Sequence, residues 1–315
     1  MTIRLLATLL IPAAFAQIPR AADGHPDLQG VWTNATLTPL ERPASFHGKL
    51  AVTDAEAAVF ERAQHDELSS GDGKSDSDFH RRAGSGETGG YNALFIDRGN
   101  ELARVDGQKR TSLVVDPPDG RVPPLTPEAR ARMQSGFRRM STDSAKNRPL
   151  SERCLLSFGS SSGPPMLPVL YNNNYQIVQT RDTIMILVEM VHDARIVRMN
   201  AQHDPANIRK WLGDSVGRWE GDTLVVDTVN FNEEVSFRGS SKNLHVIERF
   251  QRVDKNTILY RATIEDPTTF SKSWTIEYPF NASDGRVFEY ACHEGNYAIV
   301  DILGGARKEE AQPKK

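Results

Sequence analysis

Between residues 175 and 303, apolar and polar side chains alternate at every second position over short runs, and turn residues separate the runs regularly. A period of two marks a half-buried strand, and evenly spaced turn signals make successive strands hairpins. Residues 175–180 and 183–191 flank Arg181-Asp182, and residues 218–220 and 223–231 flank Gly221-Asp222. Residues 244–253 and 257–265 flank Asp254-Lys255-Asn256, and a short strand is expected over 195–199. Ile258, Tyr260, Ala262 and Ile264 share one face, Trp274, Ile276, Tyr278 and Phe280 repeat it, and a further strand is expected from Arg286. Such a meander, greasy on one face, closes into a barrel or folds into a sandwich, and closure removes exposed edges.

The first half follows another pattern. Thr53-Asp54-Ala55-Glu56 is a capping box that opens a helix running to about Leu68. Thr126-Pro127-Glu128 supplies a hydroxyl cap, a proline at the first helical position and an early acid for a second helix ending near Met140. Residues 69–90 are rich in Ser, Gly and Asp and predict a mobile surface loop. A strand over 110–116 leads into the turn Pro117-Pro118-Asp119-Gly120, and the Ser/Pro/Gly-rich stretch 141–168 predicts a long covering loop.

Arg4, the apolar run over 5–14 and the small-x-small Ala14-Phe15-Ala16 have the form of a secretory signal, with Gln17 as the mature start. The run is too short to span a bilayer. The organisation expected is a signal peptide over 1–16 and an irregular N-terminal region over 17–150, with two helices and short strands packing on the barrel. The barrel core follows over 151–307, and a disordered tail over 308–315. A periplasmic or secreted location would permit a disulfide between the two cysteines, Cys154 and Cys292. With 25% charged residues and a net charge of −3, nothing favours nucleic acid as a partner.

The candidate chemistry lies in the β-patterned half. Glu189, Asp227, Glu248 and Glu289 fall among apolar neighbours, where an ionised carboxylate is costly unless paired, hydrogen-bonded or protonated. Meeting in one hollow, they would form a polar site inside an apolar container. Glu189 and His192 are the first candidates for proton transfer, and Arg195 for stabilising negative charge. The structural alternative is an ion pair between Glu189 and Arg195 or Arg249. His293, with Glu289 or Glu294, forms a second catalytic candidate cluster, in which Gly295 introduces a bend. Asp227, Glu248, Tyr290 and Trp219 are candidate substrate contacts. Gly159-Ser160-Ser161-Ser162-Gly163 has nucleophile-elbow spacing, but Pro164-Pro165 follows it directly, so a loop is expected. No metal-binding spacing, phosphate loop or dinucleotide fingerprint appears, and no cofactor is expected.

Several strings resemble a family of exported, uncharacterised bacterial proteins. They are residues 171–180 (YNNNYQIVQT), 192–195 (HDAR), 217–226 (GRWEGDTLVV) and 290–297 (YACHEGNY). The resemblance spans most of the chain after the signal; it implies export and a shared fold and brings no activity. Gly30-Val31-Trp32 resembles the Gly-x-Trp opening of lipocalin-type barrels, as does Gly217-Arg218-Trp219. The expected fold is mainly β, an antiparallel calycin-like barrel with a few short N-terminal helices. The expected function is cofactor-independent acid–base chemistry, as a lyase, isomerase or hydrolase, on a small organic or glycosidic substrate. The alternatives are a lipocalin-like binding protein for an apolar or aromatic small molecule, and a structural module of the cell envelope.

Overall fold

The computed structural model describes residues 18–72, 96–138, 142–157 and 163–312. The signal pattern, the central serine of the Gly-x-Ser-x-Gly string and most of the Ser/Gly/Asp-rich stretch lie outside the described residues. In the first half the strands are β1 (Gly30–Thr33), β2 (Ala51–Val52), β3 (Arg104–Val105), β4 (Gln108–Arg110) and β5 (Val114–Asp116). The meander supplies β6 (Asn174–Gln179), β7 (Thr183–Val188), β8 (Ala194–Met199) and β9 (Asp214–Glu220). It continues through β10 (Thr223–Val229), β11 (His245–Arg252), β12 (Thr257–Glu265) and β13 (Trp274–Ala282). Strands β6 to β13 pair in sequence order, and β1 pairs with both β6 and β13, closing a barrel of nine strands. β5 continues the edge of β13 beyond β1, and β2, β3 and β4 form a separate small sheet.

The three expected hairpins are present, with Thr223 opposite Glu220, Gln179 opposite Ile184, and Arg252 opposite Ile258. The barrel is mixed rather than wholly antiparallel, because β8 and β9 run parallel. A parallel pair needs a crossover connection, and residues 200–213 supply it. Alternation then decides the inside: Trp32, Tyr175, Ile186, Val226, Phe250, Tyr260, Tyr278 and Phe280 are all buried in one core cluster. Their rings interlock, with Tyr260 5.1 Å from Phe250, 5.5 Å from Tyr278 and 5.0 Å from Phe280 between centroids.

Helix α1 (Asp54–Asp72) starts from a reciprocal capping box. Thr53 Oγ1 accepts the Glu56 N–H at 3.3 Å, and the Glu56 carboxylate accepts the Thr53 N–H at 2.9 Å. Helix α2 (Pro127–Arg138) is capped by Thr126, whose Oγ1 accepts the Ala129 N–H at 3.1 Å. Two boundaries differ from the sequence expectation. β1, from the N-terminal region, is an integral stave of the barrel. The stretch expected as a strand from Arg286 is irregular and is followed by helix α3 (Ala298–Glu310), which carries ordered chain past residue 307. No helix among the described residues is long and apolar enough to cross a membrane.

The two barrel ends are built differently. At the end where β1 begins, Trp32 Nε1 donates to the Leu28 carbonyl, the Arg252 guanidinium lies 5.2 Å from the Trp32 ring centroid, and Arg252 donates to the Asp27 carbonyl. Leu28 N–H is taken by Gln179 at 2.8 Å. That end is sealed. The opposite end, where β7 finishes and β8 begins, is covered by the segments around residues 163–173, 189–193 and 286–297.

Candidate functional site

β7 stops at Val188, and Glu189 leaves the strand into a tight turn in which Val191 (φ 64°) and His192 (φ 49°) are both left-handed. A β-branched residue in that region is strained and persists only where its surroundings hold it. Backbone bonds close that turn, from the Val188 N–H to the Asp193 carbonyl at 2.9 Å and from the His192 N–H to the carbonyl of Glu189, which is 2% exposed. Its carboxylate accepts Asn174 Nδ2 at 2.7 Å and the backbone N–H of Phe288 at 3.1 Å, fastening the 286–297 segment to the rim. Neither Arg195 nor Arg249 is its partner.

His192 is exposed, and its Nδ1 lies 2.7 Å from the Tyr290 carbonyl. A carbonyl only accepts, so Nδ1 carries the proton and Nε2 is left as the ring's acceptor in the neutral form. Beside it, burial pushes the Asp193 carboxyl up to about 6, and the neighbouring His192 pulls only partly the other way. Asp193 Oδ2 is buried with no hydrogen-bond partner among the described residues. Tyr290 also lines an open depression of about 600 Å³, with Tyr171, Asn172, Glu289 and Asn296. A disulfide between Cys154 and Cys292 closes its wall.

A second constellation lies inside the barrel. Arg195 (2% exposed) donates from Nη1 to Glu248 Oε1 at 3.0 Å and from Nη2 to Oε2, a bidentate pair with Glu248 at 0% exposure. Its Nε donates to Ser215 at 3.0 Å, and Nη2 donates also to Thr228 at 2.9 Å. Tyr260 donates to Glu248 Oε1 at 2.8 Å. Burial, more than the nearby Glu248 carboxylate, holds the Tyr260 phenol well above its ordinary range. Above this network sits Met166, which the Tyr260 and Tyr278 hydroxyls and Asn34 grip by its backbone.

A third constellation is on the outer wall. Asp227 joins two imidazoles, His203 Nε2 at 2.9 Å and His245 Nε2 at 3.0 Å. His203 Nδ1 meets Asp214 at 3.1 Å, and His245 Nδ1 meets Glu265 at 3.0 Å. The hydrogen bond from His245 holds the Asp227 carboxyl below its ordinary value despite partial burial. The bond to Asp227 likewise raises His245. Among the described residues no group of three or more His, Cys, Asp or Glu side chains is arranged to hold a metal ion.

The acids expected in one hollow therefore stand in four settings: Glu189 at the rim, Glu248 in the core, Asp227 on the outer wall and Glu289 exposed on the irregular segment. Glu189, His192 and Tyr290 come together. Arg195 does not face them, because the core pair with Glu248 consumes it. His293 and Glu294 are exposed like Glu289, and all three lie on the irregular segment rather than on a strand. Trp219 lies beneath His25, the rings stacked 4.6 Å apart. No local pattern announces the burial of Asp193 or Asn34: each lies just outside a strand, and Asn34 meets its partner Met166 from more than a hundred residues away. Tyr260 and Tyr278 sit correctly on the apolar face, but their hydroxyl partners are not written in any local pattern.

No family model matches the chain, and no curated protein matches it. Among solved structures, a crystal structure of the N57A mutant of the fluorescent protein UnaG is similar over 36% of this chain and 72% of that one. The identity is 12% and the TM-score 0.23.

Proposed function

We propose that the chain is an exported, cofactor-independent acid–base enzyme whose reaction takes place at the covered rim of the barrel. The observation that carries this reading is the fixed tautomer of His192. With Nδ1–H committed to the Tyr290 carbonyl, Nε2 is available as a general base. The adjacent Asp193, its carboxyl raised to about 6, is available to return a proton near neutral pH. A buried carboxyl raised towards neutrality is characteristic of functional sites, and backbone strain at Val191 and His192 adds to the case. Glu189 is a positioning residue, and the depression lined by Tyr171, Glu289 and Tyr290 receives a small organic or glycosidic substrate. Export rests on the Arg4 to Ala16 pattern and is consistent with the disulfide.

The test is turnover on a panel of lyase, isomerase and glycosidase substrates by the wild type, His192→Gln, Asp193→Asn and Glu189→Gln. Loss of about 10²–10⁴-fold in kcat is expected for His192→Gln, with a smaller loss for Glu189→Gln. Unchanged rates in all three folded variants would remove the assignment.

A further inference from the structure

Residues 20–29 run along the outside of the sealed end of the barrel. Between them, the tip of the β6–β7 hairpin and the residue after β8 lies a depression of about 700 Å³. Its walls are held in place. Arg20 makes a two-point ion pair with Asp222 at 2.9 and 2.7 Å and donates to the Gly24 carbonyl at 2.9 Å. Gln179 accepts the Leu28 N–H at 2.8 Å and donates to the Pro26 carbonyl at 3.2 Å. One wall is aromatic: the His25 ring lies flat against Trp219, centroids 4.6 Å apart and planes 4° apart, and Trp219 rests on the core cluster.

The polar side chains of the lining are free. Arg181, Gln29 and Asn200 are exposed and make no side-chain hydrogen bond or ion pair among the described residues. Asp23, the one acid in the lining, accepts the His25 N–H at 3.2 Å. A guanidinium without a carboxylate of its own presents a planar fork that an incoming carboxylate meets at two points. A primary amide both donates and accepts, as a sugar hydroxyl does, so Gln29 and Asn200 suit a polyol. A fixed ring wall offers an apolar surface to the C–H face of a pyranose. One exposed polar side chain is ordinary; a cation, two amides and a ring wall around one preformed hollow have the make-up of a small-molecule site.

We propose that this depression binds a uronic acid glycoside, with its carboxylate on Arg181, its hydroxyls on Gln29 and Asn200, and its ring against the His25–Trp219 wall. The ligand docks on the outer surface, and because the walls are already tied down nothing inside the barrel opens. The site is separate from the rim, so it stands or falls independently of His192 and Asp193.

The test titrates the full-length protein with the methyl glycosides of glucuronic and galacturonic acid, followed by NMR at the Trp219 indole N–H. Saturable binding of at least one uronide is expected. The matching neutral methyl glycoside, which lacks the carboxylate, and cyclohexanecarboxylate, which lacks the hydroxyls, should each bind at least about ten-fold more weakly. Arg181→Gln should weaken the uronide at least about ten-fold and leave the neutral glycoside unchanged. Asn200→Gly suits the φ of 52° at that position and should weaken the uronide and the neutral glycoside alike, with cyclohexanecarboxylate unaffected. His192→Gln should bind the uronide as the wild type does. Near-UV circular dichroism checks that each variant is folded. No saturable shift with either uronide, equal binding of all the probes, or undiminished uronide binding by folded Arg181→Gln would overturn the proposal. Loss of uronide binding in His192→Gln would place the ligand at the rim and overturn it as well.

Discussion

Removing one member of the core ion pair is the sharpest test of how this barrel is held together. In Glu248→Leu the side chain loses both carboxylate oxygens, which in the native chain accept charge-assisted bonds from the guanidinium. Arg195 then keeps its charge at 2% exposure, with Ser215 and Thr228 as its neutral partners. Stranding one charge of a buried pair costs about 3–5 kcal/mol, and Arg195→Met, which strands the Glu248 carboxylate, should cost a similar amount. The double variant Arg195→Met/Glu248→Leu strands no charge. It leaves the Tyr260 hydroxyl without an acceptor, a loss of about 1–3 kcal/mol. The double variant should therefore be more stable than either single one, with a strongly non-additive cycle. Urea unfolding gives the three values from midpoint and slope. Single variants costing under about 1 kcal/mol, or singles that sum to the double, would show that the pair is solvated and that the core is not dry.

Other outcomes follow from the rim and the outer wall. The pKa of His245 is raised by its bond to Asp227, so its contribution is full below the unfolded value of about 6.5 and is lost as pH rises through the higher folded value. His245→Gln should flatten that part of the pH–stability curve, and an unaltered slope would contradict the bonding along the row. Replacing both cysteines by serine should destabilise by about 3–5 kcal/mol, because the bridge closes a long loop, and should speed exchange in residues 286–297. Glu189→Ala removes the acceptor of the Phe288 N–H. Faster exchange at Phe288 with little change at Tyr260 is expected by hydrogen-exchange mass spectrometry; equal change at both would mean Glu189 supports the whole core.

What was legible in the chain was whatever local geometry decides. Arg181-Asp182, Gly221-Asp222 and Asp254-Lys255-Asn256 set their hairpins because a tight turn fixes the register of what it joins. Thr53 and Thr126 marked both helix starts because capping is a contact over three residues. The direction of β9 against β8 was not legible, since alternation tells which face a side chain takes and nothing about which way its neighbour runs. Residues 286–297 alternate yet form no strand, because they are held by Glu189, His192 and the disulfide rather than by a ladder. For the same reason the site was only half visible. Glu189 and His192 stood out as polar residues at the end of an apolar run, whereas nothing local marks Asp193 as a buried carboxyl.

The asymmetry of the two ends bears on where any small molecule gains access. At the Trp32 end the closing groups are mutually satisfied: the indole N–H on Leu28, Arg252 on Asp27 and across the ring, Gln179 on Leu28. Opening that end would expose paired polar groups and an aromatic ring together, with nothing unsatisfied to reward it. At the other end Asn34 Oδ1, Trp274 Nε1 and Asp193 Oδ2 are three of the five buried side-chain atoms without partners among the described residues. Each carries a desolvation cost that water or a ligand would relieve. Residues 286–297 there are fastened at discrete points, by Glu189 to Phe288, His192 to Tyr290 and Cys154 to Cys292, whereas Met166 of the neighbouring cover is gripped by its backbone. A lid tied at points over unsatisfied groups opens at lower cost than a sealed floor, so the rim, and not the Trp32 end, is where ligand-induced changes in hydrogen exchange should concentrate.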